Sequence, residues 1–119
     1  MAHYMILLQE EPAQADAEMS PEEIQSIVAK YVAWRENLAG QGRLHGSNKL
    51  KDEGGKLMQK AGGTTQVTDG PYSETKEVIA GYFVIEAASY EEAVAMCQTC
   101  PHLDYGTITV REVDMVSCT

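Results

Sequence analysis

The chain is poor in positive charge. Nine Lys and Arg face eighteen Asp and Glu, a formal charge of −9 over 119 residues. Binding to a phosphate backbone needs clustered Lys and Arg, so a nucleic-acid partner is excluded as an expectation. An anionic membrane surface is disfavoured on the same ground. Long apolar runs are missing too. No segment approaches the roughly 20 apolar residues of a membrane span. The opening MAHYMILLQEEP has no basic region, and its apolar run is too short for a signal peptide. The three cysteines are an odd number and imply no disulfide framework. Together these absences point to a reducing, cytoplasmic location. Low-complexity segments and clear internal repeats are lacking as well.

What is present suits one soluble domain with one core. The apolar fraction is 44% and the charged fraction 23%. A single domain is expected over residues 1–114, with 115–119 as a loose tail.

The periodicities give the order of elements. HYMILLQ, His3 to Gln9, reads as a strand, and the acidic, Ala-rich EEPAQADAEM reads as a connector. SPEE is a helix start. Ser20 can cap, Pro21 suits the first turn and Glu23 completes a capping box. Apolar residues follow at Ile24, Ile27, Val28, Tyr31, Trp34 or Arg35, and Leu38, one stripe at helical spacing. Gly40 and Gly42 stop it. RLHGSNKL reads as a short strand, KDEGG as a turn, and KLMQKAGGTTQVT as one or two short strands interrupted at Gly62 and Gly63. GYFVIEAA is a strand. Ser89 and Glu92 form a second capping box, opening a helix from Tyr90 to about Thr99 that Pro101 ends. Thr107 to Val113 is the last strand. The order β-α-β-β-(loop)-β-α-β is a split βαβ pattern, the ferredoxin-like α+β arrangement with an antiparallel sheet.

In Tyr4–Leu8 and Tyr82–Ile85 both alternating faces are apolar. A sheet with helices on one face and water on the other should alternate apolar with polar. Two helices cannot cover both faces, so a homodimer with sheets packed face to face is expected.

Residues able to carry chemistry are few. Cys97 and Cys100 form a C-x-x-C at the C-terminal end of a helix, where the dipole disfavours a thiolate. A zinc site needs two further ligands, and no second C-x-x-C exists. Buried structural thiols are the expectation, with no metal or cofactor. His102 lies in CPHLDYG with Asp104 two residues on. A histidine held by a carboxylate is the common form of a general base, and an exposed loop histidine without a task is the other reading. His3 and His45 carry no clear signal.

The segment TDGPYSETKE, Thr68 to Glu77, is longer than the two to five residues a hairpin needs. Asp69 can accept backbone N–H bonds in an Asx-turn. Gly70 is pushed to extended geometry by Pro71, which cannot donate to a ladder. Tyr72 is a large group with a polar tip. Structural turn and site wall both remain open.

These residues resemble a known family. Asp69, Gly70, Pro71, Tyr72, Glu74, Thr75, Lys76 and Glu77 match D-G-P-F-x-E-[ST]-K-E with Tyr for Phe, the signature of the DGPF subgroup of the YCII-related proteins. The similarity runs from MILLQEE through SPEEI and GRL to TVREV. It implies a ferredoxin-like fold that dimerises as an α/β barrel. The YCII branch uses a His–Asp pair, but the matching positions here are about Tyr31 and Cys100-Pro101, so that pair is not retained. The resemblance also implies an association with extracytoplasmic-function sigma factors. Two functions follow. One is a small-molecule-binding protein, with or without turnover, with Asp69, Gly70, Pro71 and Tyr72 as one wall. His102 and Asp104 would then supply a base, and Tyr31 a hydrogen-bond donor. The alternative is a regulatory module that meets a sigma factor without turnover.

Overall fold

The computed structural model describes residues 1–10, 19–51, 54–69 and 78–116. Strand β1 (Ala2–Glu10) is followed by helix α1 (Pro21–Gly40), then β2 (Leu44–Lys49), β3 (Lys56–Ala61) and β4 (Thr64–Asp69). β5 (Val78–Ala87), α2 (Tyr90–Cys97), a 3₁₀ turn (Pro101–Asp104) and β6 (Thr107–Glu112) complete it. The order expected from the periodicities is present, and the fold is mixed α+β with antiparallel sheets. No helix among the described residues is long and apolar enough to cross a membrane.

Four strands form the main sheet in the order β2-β5-β1-β6, every neighbour antiparallel. The period of two places Tyr4, Ile6 and Leu8 of β1 beside Phe83, Ile85 and Ala87 of β5 on the helix-covered face, all buried. Trp34 and Leu38 of α1, and Ala93 and Cys97 of α2, close this core. Trp34 meets Phe83 edge-on at 4.9 Å between ring centroids, and its indole N–H donates to Thr99 Oγ1 at 3.1 Å. The buried ring thus has both an aromatic contact and a partner for its polar atom.

Both helix starts form as their sequences dictate. Ser20 Oγ accepts from the Glu23 N–H, and Ser89 Oγ from the Glu92 N–H, each at 3.1 Å. Glu92 reaches back to the Ala88 N–H at 3.0 Å and also pairs with Arg43. The Ala88 N–H first, and Arg43 second, hold its carboxyl below the usual glutamate value. A depressed folded-state pKa stabilises the fold fully above the unfolded value and loses that contribution as pH falls through the folded value. In acid-unfolding curves followed by circular dichroism, Glu92→Gln is therefore expected to differ from the parent at neutral pH and to converge with it in acid. A constant offset at all pH values would contradict this.

β3 and β4 form a hairpin of their own, closed by the two-residue loop Gly62-Gly63 between Ala61 and Thr64. Both glycines have positive φ, 61° and 85°, as a type I′ turn requires. Every residue of the hairpin is exposed, including Leu57, Met58 and Val67. An isolated two-stranded hairpin is marginal in water.

α1 departs from the expected single buried stripe. Its C-terminal half packs down through Trp34 and Leu38, but Ile24 is 50% exposed and Val28 53%. The N-terminal half stands off the sheet, so its apolar residues line a cleft instead of filling a core.

Candidate functional site

The cleft lies between α1 and the β1–β5–β2 part of the sheet and measures about 770 Å³. That is the size range of small-molecule sites. Its walls are largely apolar, with Leu8 and Phe83 from the sheet and Ile24, Ile27, Val28 and Val32 from the helix. Polar groups enter at one end, where Tyr31, His102, Asp104, Tyr105 and Glu10 converge. Arg35, one turn beyond Tyr31, and Lys49 of β2 also reach the cleft.

His102 is the only buried polar residue among those described, with 2% of its surface exposed. The reading of an exposed loop histidine is therefore corrected. Pro101 does more than end α2: it starts a 3₁₀ turn that folds the imidazole inward. The ring is held at both nitrogens. Nε2 lies 2.8 Å from the Gln9 carbonyl oxygen, and Nδ1 lies 2.8 Å from the Tyr31 hydroxyl. A carbonyl can only accept, so Nε2 carries the proton. In the neutral ring Nδ1 is then an acceptor, and Tyr31 donates its O–H to it.

This corrects two expectations. The His102–Asp104 pair does not form, because both ring nitrogens are occupied elsewhere. Asp104 is exposed at the mouth of the cleft. Tyr31 spends its proton on His102, so it offers the cleft a lone pair and acts toward a ligand as an acceptor. Burial first, then the nearby Cys100, Glu10, Tyr105 and Asp104, push the Tyr31 phenol above its ordinary value. A free phenolate is disfavoured there.

Gly106 closes the arrangement from below. A Cβ at this position would sit 2.1 Å from the Gln9 carbonyl oxygen and 2.9 Å from His102 Nε2. Only a residue without a side chain lets the Gln9 carbonyl approach the imidazole.

The other expected site residues lie elsewhere. Asp69 ends β4, exposed and paired with Lys56 at 2.6 Å, and does not line the cleft with His102. Gly70, Pro71 and Tyr72 lie outside the described residues. The segment they belong to joins β5, whose Ala80 and Gly81 line the cleft. Cys97 and Cys100 are buried, and desolvation pushes the Cys97 thiol up to about 12. They are the inert structural thiols expected. Sequence reading missed the Gln9 carbonyl, which is backbone and leaves no trace in residue type. It also missed Gly106, legible only as a break before β6, and Arg35, which shared a position with Trp34 in the helical stripe.

A stretch of 37 residues, 31% of the chain, is 43% identical to the uncharacterized protein R00369 of Rhizobium meliloti (strain 1021) and spans 30% of that protein. The 5-chloro-2-hydroxyhydroquinone dehydrochlorinase TftG of Burkholderia phenoliruptrix AC1100, solved in complex with 2,5-dihydroxybenzoquinone, is similar over 94% of this chain and 93% of its own. Its TM-score is 0.48 and its sequence identity 14%. The model of the YCII-related domain matches residues 2–116, and the chain belongs to the YCII-related family.

Proposed function

We propose that this protein binds a small, mostly apolar molecule in the cleft beneath α1, through a donor group that meets the Tyr31–His102 pair. The observation that carries this reading is the buried imidazole, held at both nitrogens and ending in a phenol at the wall of an apolar cleft. A ligand O–H or N–H donating to Tyr31 Oη would extend a chain through the Tyr31 O–H to His102 Nδ1, backed by Nε2–H on the Gln9 carbonyl. Such chains polarise one another. Glu10 and Asp104 beside the phenol favour a neutral donor over a carboxylate at that end.

The same chain can act as a general base. As the ligand gives its proton to Tyr31 Oη, Tyr31 gives its own to Nδ1, and the Gln9 carbonyl stabilises the imidazolium. Tyr31 then never exists as the phenolate that burial opposes.

A thermal-shift screen against neutral hydroxylated aromatic and aliphatic compounds tests this. A ligand at 100 times its Kd should stabilise the protein by about 2.7 kcal/mol. Tyr31→Phe keeps the ring but removes the acceptor, and is expected to cut affinity about tenfold, the equivalent of about 1.4 kcal/mol. Asp69→Ala separates a contribution of the DGPF-type segment. Hits that bind Tyr31→Phe unchanged would refute the role of the pair.

The antiparallel order β2-β5-β1-β6 with two helices on one face supports the ferredoxin-like description. The opposite face carries Met5, Leu7, Tyr82 and Val84, half-buried, and the hairpin exposes more apolar surface. These support a homodimer closing face to face, in the manner of an α/β barrel. Light scattering at micromolar concentration is expected to give twice the 13.0 kDa chain mass. The chain mass itself would rule the dimer out. A regulatory module working with an extracytoplasmic-function sigma factor is the second function, and it leaves the cleft without a task. Recovery of such a factor by pull-down, unaffected by Tyr31→Phe, would favour it.

A further inference from the structure

The face of the sheet away from the helices carries a second cluster. His3 of β1 and Glu86 of β5 are cross-strand partners, so their side chains lie side by side on that face. β2 slips register by one between Leu44 and Gly46, leaving His45 as the extra residue opposite β5. Such bulges re-aim a side chain. Here Leu44 still packs against the core, while His45 turns to the opposite face and over Glu86.

The two imidazoles stack, with centroids 4.2 Å apart and planes inclined by 24°. Both present Nε2 to the same carboxylate oxygen. His45 Nε2 is 2.7 Å from Glu86 Oε1, and His3 Nε2 is 3.9 Å from it. The three donor atoms lie within 4.8 Å of one another. Ligands on a tetrahedral zinc ion at about 2.1 Å are separated by roughly 3.4 Å. The distances of 2.7 and 3.9 Å bracket that value, so small rotations at Glu86 and His3 suffice. His3 is beyond hydrogen-bond range of the carboxylate, so the cluster is not accounted for as a hydrogen-bonded triad. All three side chains keep part of their surface open, which gives an ion a way in.

We propose that His3, His45 and Glu86 form a site for a divalent transition-metal ion, zinc in the first instance, with at least one coordination position left open. Two imidazoles and one carboxylate are a donor set that zinc accepts, and a closed structural site would need a fourth protein ligand. The site is separate from the Tyr31–His102 cleft, on the opposite face of the sheet.

Zinc alone is the probe, titrated by calorimetry into tag-free, chelator-stripped full-length protein. Saturable binding is expected at one ion per chain, or one per two chains where a second copy closes over the face. His3→Ala, His45→Ala and Glu86→Gln should each weaken it by at least about tenfold, the loss that even an outer-shell partner can cause. Tyr31→Phe should leave it unchanged. Because these three variants sit on the surface, circular dichroism should show them folded. Cobalt substituted for zinc should give a tetrahedral or five-coordinate visible spectrum without a thiolate charge-transfer band. Absence of saturable zinc binding, binding indifferent to all three substitutions, or a thiolate band would each overturn the proposal.

Discussion

Replacing His102 with alanine is expected to remove about 2–4 kcal/mol of stability and all cleft-directed ligand binding. The imidazole is buried and makes two hydrogen bonds. Its loss strands the Gln9 carbonyl, and each unsatisfied buried group costs about 1–3 kcal/mol. A void the size of the ring adds a cavity cost. For a domain of this length, 1 kcal/mol shifts the melting temperature by about 4 °C, so a fall of about 8–16 °C is expected in calorimetry. Asp104→Asn is the informative contrast. Asp104 is exposed and forms no pair with the imidazole, so its substitution should stay within about 0.5 kcal/mol of the parent. Equal losses from both substitutions would restore the His–Asp pair and contradict the arrangement described above.

Gly106→Ala is expected to have an effect of similar size without touching a functional group. The added methyl would lie 2.1 Å from a backbone oxygen, which cannot swing aside as a side-chain end could. β1 must move away from the turn before β6, or the turn must shift, and overpacking of this kind costs about 1–3 kcal/mol. Either movement opens the His102–Gln9 bond. The imidazole then loses the acceptor that fixes its proton on Nε2, and ligand affinity should fall along with stability. Gly40→Ala supplies the control. At the end of α1 a Cβ meets nothing within 4 Å, so a gain of about 0.5 kcal/mol is expected from reduced unfolded-state freedom. A neutral Gly106→Ala would mean that the close approach of Gln9 is not needed.

Local chemistry made the fold readable. Ser20 with Glu23 and Ser89 with Glu92 mark helix starts because capping depends on three or four adjacent residues. Gly62-Gly63 marks an interruption of strand, and the type I′ hairpin it closes emerges only with the pairing of β3 and β4. Tyr31 and His102 were legible as candidate groups, but the bond between them was not. They lie 71 residues apart, and the contact depends on where α1 settles against the turn after α2. Alternation of residue type likewise could not show that Ile24 and Val28 line an opening, since a cleft wall and a core face have the same apolar period. Asp104 misled for the opposite reason. Proximity in sequence suggested a pair, but the 3₁₀ turn sends His102 inward and leaves Asp104 outside. His3 and His45 gave no signal at all, because the register slip that brings them together is a property of strand pairing.

The account rests on the proton of His102 residing on Nε2, since this makes Nδ1 the acceptor for Tyr31 and leaves the phenol oxygen facing the cleft. Long-range ¹H–¹⁵N correlation spectra of the ¹⁵N-labelled protein at neutral pH, with His102 assigned by substitution, read that proton directly. The expected pattern is one protonated Nε2 and one unprotonated Nδ1 that loses its hydrogen-bond shift in Tyr31→Phe. A His102 ring protonated on Nδ1 alone, or one averaging freely between tautomers, would contradict it.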